Sequence, residues 1–211
     1  MKFITSLLMV ALLTISALAA TTSHLGGPFN GLPLPLEPME FNLTIDGNSF
    51  HSHGTIQQVY SQYAAENLSF KFPDTLSLSS ALELKAASAH AQSNVEKRSK
   101  GNIYCLPNPV VQWVLAPENG IWADINFLKG IQPDLCRFAP RTCRKLACYD
   151  SASLFVCNYA DVALWRACSY MGSYAEDIIN HCPQYRSAGY VGGQEDDSDG
   201  YAIIVRGDPC Q

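Results

Sequence analysis

The sequence predicts an α+β fold: a small, disulfide-stapled α/β sandwich in which one long helix packs on an antiparallel sheet. Three observations lead there. All eight cysteines follow one dibasic pair, Lys97-Arg98, and none precedes it. An amphipathic stretch between residues 161 and 182 is long enough for about five helical turns. The segments around it read as short strands and hairpins.

Taken in order, residues 102–106 suit a first strand, ended by Pro107-Asn108-Pro109. Residues 119–129 suit a helix, with Ile121, Ile125 and Leu128 on one face and Gly130 as its stop. Residues 133–144 read as a cation-rich loop carrying cysteines. Leu146-Ala147-Cys148-Tyr149 and Leu154-Phe155-Val156-Cys157 read as two strands joined through 150–153.

The long helix is expected to begin at an Asp161 N-cap and to end at Pro183. Its apolar face runs from Leu164 through Ala167, Met171, Tyr174 and Ile178. Cys168 and Cys182 lie on that face and are expected to staple the helix to the sheet at both ends. Residues 188–194 and 201–206 flank an acidic run and read as a hairpin turning at Asp199-Gly200.

The chain before the cysteines reads as targeting and processing sequence. Lys2 and the apolar run 3–18 precede Ala17-Leu18-Ala19, a small-x-small cleavage signature, so 1–19 is expected to be a signal peptide. The run is short for a membrane-spanning helix. Residues 20–98 form an expected pro-segment. It is Pro-rich near 32–38, has a helix-compatible stretch at 80–95 with Leu82, Ala86 and Ala89 on one face, and holds both glycosylation sequons, at Asn42 and Asn67. Cleavage after Lys97-Arg98 by a secretory-pathway protease would leave residues 99–211 as the mature domain, secreted and free of N-glycan. Its cysteines are Cys105, Cys136, Cys143, Cys148, Cys157, Cys168, Cys182 and Cys210. Behind a secretory leader an even number of cysteines reads as a disulfide framework, and eight leave 105 pairings open. Residues 99–211 carry nine Lys/Arg against twelve Asp/Glu, a balance that argues against a nucleic-acid partner.

The run CRKLACYDSASLFVCN, a two-cysteine amphipathic helix and the terminal GYVGGQEDDSDGYAIIVRGDPC together resemble small cysteine-rich proteins secreted by filamentous fungi. In layout the chain is similar to killer-toxin-like proteins and necrosis-inducing effectors. The resemblance covers roughly residues 103–210. It implies an α/β sandwich, disulfides between strands and helix, and a leader removed at a dibasic site; the product is expected to act on a host or competitor target and to be a monomer. It brings no functional residue that matches a position here.

Candidate chemistry is sparse. His181 is the one histidine after Lys97-Arg98, and it reads as a cation capping a helix C-terminus. No G-x-S-x-G elbow is present. The enzymatic alternative is a small secreted hydrolase such as a ribonuclease, which needs a His or Glu pair beside a cation. The acidic residues 195–199 lack EF-hand spacing and read as a solvated hairpin tip, not a calcium site. Cysteine spacings of six and four intervening residues are not zinc knuckles. Arg137, Arg141, Arg144 and Lys145 are the candidate target-contact group, compatible with anionic lipid or acidic glycan without implying either. No catalytic residue, metal ligand or cofactor is assigned. The expected function is that of a non-enzymatic secreted effector or toxin-like protein.

Overall fold

The computed structural model describes residues 31–45, 47–70, 99–130 and 135–210. The expected signal peptide at 1–19, the helix expected at 80–95, Lys97 and Arg98 lie outside the described residues.

The architecture is α+β, with several sheets, a few helices and four disulfides. The strands are β1 (Leu36–Glu37), β2 (Glu40–Ile45), β3 (Asn48–His53), β4 (Lys100–Cys105), β5 (Ala116–Pro117), β6 (Leu135–Phe138), β7 (Thr142–Tyr149), β8 (Ala152–Asn158), β9 (Leu164–Ala167), β10 (Tyr190–Val191), β11 (Gly193–Asp197) and β12 (Tyr201–Gly207). The helices are α1 (Ile56–Glu66), α2 (Glu118–Gly130) and α3 (Cys168–His181).

The main sheet has the order β1-β7-β8-β12-β11-β4 and is antiparallel except for the β1–β7 pair. A second antiparallel sheet has the order β3-β2-β6-β9. β5 and β10 form a separate short pair.

Helices α2 and α3 pack against each other, α2 on β7 and β8 and α3 on β11, β12 and β4. Ile121, Trp122, Ile125, Met171, Tyr174, Ile178, Leu154, Val156 and Ile203 fill the space between helices and sheet. On the opposite sheet face, Phe155, Ile204, Cys143 and Cys157 are covered by Leu32. That double covering explains why β8 and β12 read as unbroken apolar runs instead of alternating ones.

Each disulfide joins separate elements. Cys105 of β4 pairs with Cys182 at the end of α3, and Cys136 of β6 with Cys168 at its start. Cys143–Cys157 crosses β7 and β8, and Cys148–Cys210 ties down the C-terminus. The helix is thus stapled at both ends, as its cysteine spacing predicts. Gly193 permits the close approach there: a Cβ on it would sit 2.7 Å from the Tyr104 carbonyl oxygen and 3.1 Å from Ile178 Cγ2.

Three expectations change. The long helix begins at Cys168, not Asp161, because Leu164–Ala167 pairs with β6 as strand β9 and Asp161 is an exposed ion-pair partner of Arg141. At 14 residues it barely exceeds the 13 of α2, so no single long helix dominates. The cation-rich 133–144 loop is largely strand, β6 and the start of β7.

The remaining surprise is N-terminal. Within 31–70, a segment the sequence assigns to the pro-segment, two strands and a helix enter the core. β2 alternates, with Phe41, Leu43 and Ile45 buried and Asn42 and Thr44 exposed. Thr55 opens α1 with a capping box, its side chain accepting from the Gln58 amide while the Gln58 side chain accepts from the Thr55 N–H. Ile56, Val59, Tyr60 and Tyr63 form the buried face of that helix.

Candidate functional site

The end of α3 and the edge strand β4 enclose a cleft of about 470 Å³ lined by Lys100, Asn102, Asp177, Asn180, His181 and Glu195. Strand alternation puts Glu195 there. The Asp199-Gly200 turn, with Gly200 at φ 80°, places residues up to 197 inside β11, so Glu195 and Asp197 point inward while Gln194 and Asp196 do not. The acidic run is therefore not a solvated tip. Its distal member, Asp199, pairs with Arg166 at 2.5 Å.

Glu195 is 2 % exposed, and its Oε2 has no hydrogen-bond partner among the described residues. Burial is the main reason its carboxyl is pushed up to about 8, with Asp177 adding to the rise and Lys100 opposing it. Lys100 donates to Asp177 at 2.7 Å and lies 4.4 Å from the centroid of the Tyr174 ring. Below it, the Tyr174 hydroxyl meets Tyr201 at 2.7 Å and Tyr170 at 3.1 Å and donates to Asp197. Burial and these hydrogen bonds raise the Tyr174 hydroxyl far above its ordinary value, which leaves it a fixed neutral donor. His181 is exposed at the C-terminus of α3, in the position of a dipole-favoured cap. The cleft thus brings together a buried acid, a histidine and a lysine, a set capable of acid–base work on a small polar ligand.

A pH dependence follows. Glu195 binds its proton more tightly folded than unfolded, so its contribution is most favourable below about pH 4.5. It worsens as pH climbs toward about 8, on the order of a few kcal/mol in total. We expect the urea midpoint to fall between pH about 5 and about 9, and Glu195→Gln to flatten that fall. Equal slopes for both proteins would show that Glu195 is not the responsible group.

The four sequence-predicted contact cations do not form a patch. Arg144 is 3 % exposed, donates to the Pro38 carbonyl at 2.6 Å and pairs with Glu37 at 3.0 Å. Lys145 bridges Asp208 and the Pro209 carbonyl, both at 2.6 Å. Arg141 pairs with Asp161 at the surface, at 2.7 Å. Arg137 pairs with Glu40 at 3.1 Å and lies opposite Trp165 in register, its guanidinium 5.8 Å from that ring. Opposite charges dispersed along the sequence reach these residues and neutralise them.

The sequons stand on described backbone. Asn42 faces outward from β2, 2.7 Å from His51 Nδ1, and Asn67 closes α1, its amide donating to the Tyr63 carbonyl at 3.0 Å. Among the described residues no cluster of His, Cys, Asp and Glu has metal-holding geometry, and no cysteine is free. Among them, too, no helix is long and apolar enough to cross a membrane.

Fold and disulfides define a cross-linked α+β protein with a polar cleft between the end of α3 and β4. No family model matches the chain, and neither a curated protein nor a solved structure does.

Proposed function

We propose that this is a secreted, non-enzymatic effector or toxin-like protein, made as a pro-protein and cut after Lys97-Arg98, whose rigid surface engages a host or competitor molecule. The observation that carries the reading is the disulfide set. Four bonds tie β4, β6, β7, β8, both ends of α3 and the C-terminus to one another, which suits an oxidising extracellular setting. The surface feature best fitted to a target is Trp165, 47 % exposed on the edge strand β9 with Arg137 across from it. Trp and Arg are the side chains that most often anchor protein contacts. Arg141, exposed at the β6–β7 turn, is a separate candidate contact.

The cleft favours a second reading, a small secreted hydrolase of ribonuclease type with Glu195 and His181 as its acid–base pair. One comparison separates the two. At matched protein amounts in a host-response or growth-inhibition assay, His181→Ala should keep full activity, while Trp165→Ala and Arg141→Glu should lower it. Loss of activity in well-folded His181→Ala, together with loss of ribonuclease turnover, would favour the hydrolase.

A further inference from the structure

We infer that processing yields two chains and not one: the chain N-terminal to the cut stays bound, without any covalent link, as the second subunit of the secreted product. The inference rests on the pro-protein reading above. Hydrolysis adds water across the Arg98–Ser99 bond and leaves a carboxylate on Arg98 and an ammonium on Ser99. All eight cysteines lie on the C-terminal side, so no disulfide crosses the cut.

Departure of the leader would dismantle the core of the remaining domain. Phe41, Val59 and Leu32 are 0 % exposed and belong to clusters formed mostly by residues after 99. Tyr60 meets Phe127 edge-on at 5.4 Å. Strand pairing is shared as well, β1 with β7 and β2 with β6, so departure would strip ladder partners from two strands.

The polar contacts add to the case, because each would lose its partner. Arg144 lies in the C-terminal chain at 3 % exposure, and its carboxylate partners Glu37 and Glu40 are both in the leader. Asp124, 0 % exposed, takes a hydrogen bond from the Gln57 amide at 2.6 Å, while Gln57 Oε1 accepts from the Cys148 N–H at 3.1 Å. To the extent that Arg144 stays enclosed, losing both carboxylates is far costlier than the pairing was favourable. The contacts named here join residues 32–60 to residues after 99, and breaking the 98–99 bond removes none of them directly. Ser99 is held independently, its carbonyl accepting from Ser198 N–H at 2.9 Å.

Retention also decides the glycan. Asn42 and Asn67 travel with the leader, so a two-chain product carries them and a product of residues 99–211 alone does not.

For the test, a sequence-specific endoprotease site replaces Lys97-Arg98 in the full chain, and the purified protein is cut to completion. Size-exclusion chromatography at micromolar concentration should give one peak that a non-reducing denaturing gel splits into two bands. In urea without reductant both chains should unfold in one step. The midpoint should rise with protein concentration after the cut and not before it, as coupled dissociation requires. Elution of the leader apart from residues 99–211, or a first transition that releases it from a domain that stays folded, overturns the inference. N-terminal sequencing of naturally secreted material tests the processing itself. A start only near Thr21 would sink the pro-protein reading, while the endoprotease experiment would still decide retention.

Discussion

Replacing Ile178 by aspartate should abolish accumulation of folded protein. Ile178 is 0 % exposed on the face of α3 that meets β11, and its Cγ2 lies within 3.1 Å of where a Cβ on Gly193 would stand. Shortening an isoleucine in such a place costs about 2–5 kcal/mol, and an unpaired carboxylate adds several more. Together these match the whole stability of a typical domain, about 5–15 kcal/mol. Ile178→Val is the control, since losing one methylene costs only about 1 kcal/mol. Immunoblot of the soluble expressed protein and circular dichroism of any recovered material provide the readout. Folded Ile178→Asp at normal yield would mean that this face of α3 is not a core face.

The second large effect is expected from Cys105 and Cys182. Removing that bond, with both residues changed to alanine, should cost more than removing Cys143–Cys157. Cys105–Cys182 closes 77 residues and Cys143–Cys157 closes 14. Loop-closure entropy assigns about 4.5 kcal/mol to the longer loop and about 3 kcal/mol to the shorter. The gap of about 1.5 kcal/mol corresponds to a further fall of about 3–6 °C in Tm. Position adds to length, because Cys105 anchors β4, which among the described strands pairs on one side only. Calorimetry of the two double variants decides the order. A larger loss from Cys143–Cys157 would show that local packing, with both of its sulfurs wholly enclosed, outweighs chain entropy.

Much of the architecture can be read in the chain because the signals are local. The α2 periodicity, the Asp199-Gly200 turn and the two cysteines of α3 each declare themselves within a few residues. The start of α3 was misleading because Leu164 and Ala167 fit a helical face and a strand equally well, and the choice is made by β6, some thirty residues away in sequence. The N-terminal contribution was masked by composition. Prolines near 32–38 and the lack of cysteine suggest a discarded leader, yet Phe41, Leu43 and Ile45 alternate strictly and Thr55 with Gln58 spells a capping box.

The cleft was hidden differently. Five polar residues in a row read as solvent-facing unless β11 is first extended to Asp197, after which alternation puts Glu195 inside. The ion pairing of the four candidate contact cations is set by tertiary structure. Glu37, Glu40, Asp161 and Asp208 come from distant parts of the chain, and no spacing rule announces them.

The arrangement of the disulfides also sets how far the molecule can be stretched. Tension applied at residues 99 and 210 crosses from Cys105 to Cys182 through sulfur and then needs only the 28 residues to Cys210. A second route through Cys168–Cys136 and Cys148–Cys210 shares that load. With the stretch from 99 to Cys105 included, full extension at about 3.5 Å per residue stops at about 120 Å, where an uncrosslinked chain of this span would reach more than three times as far. The cysteine-bearing part thus behaves under shear or traction as a short, stiff link, whatever becomes of its helices.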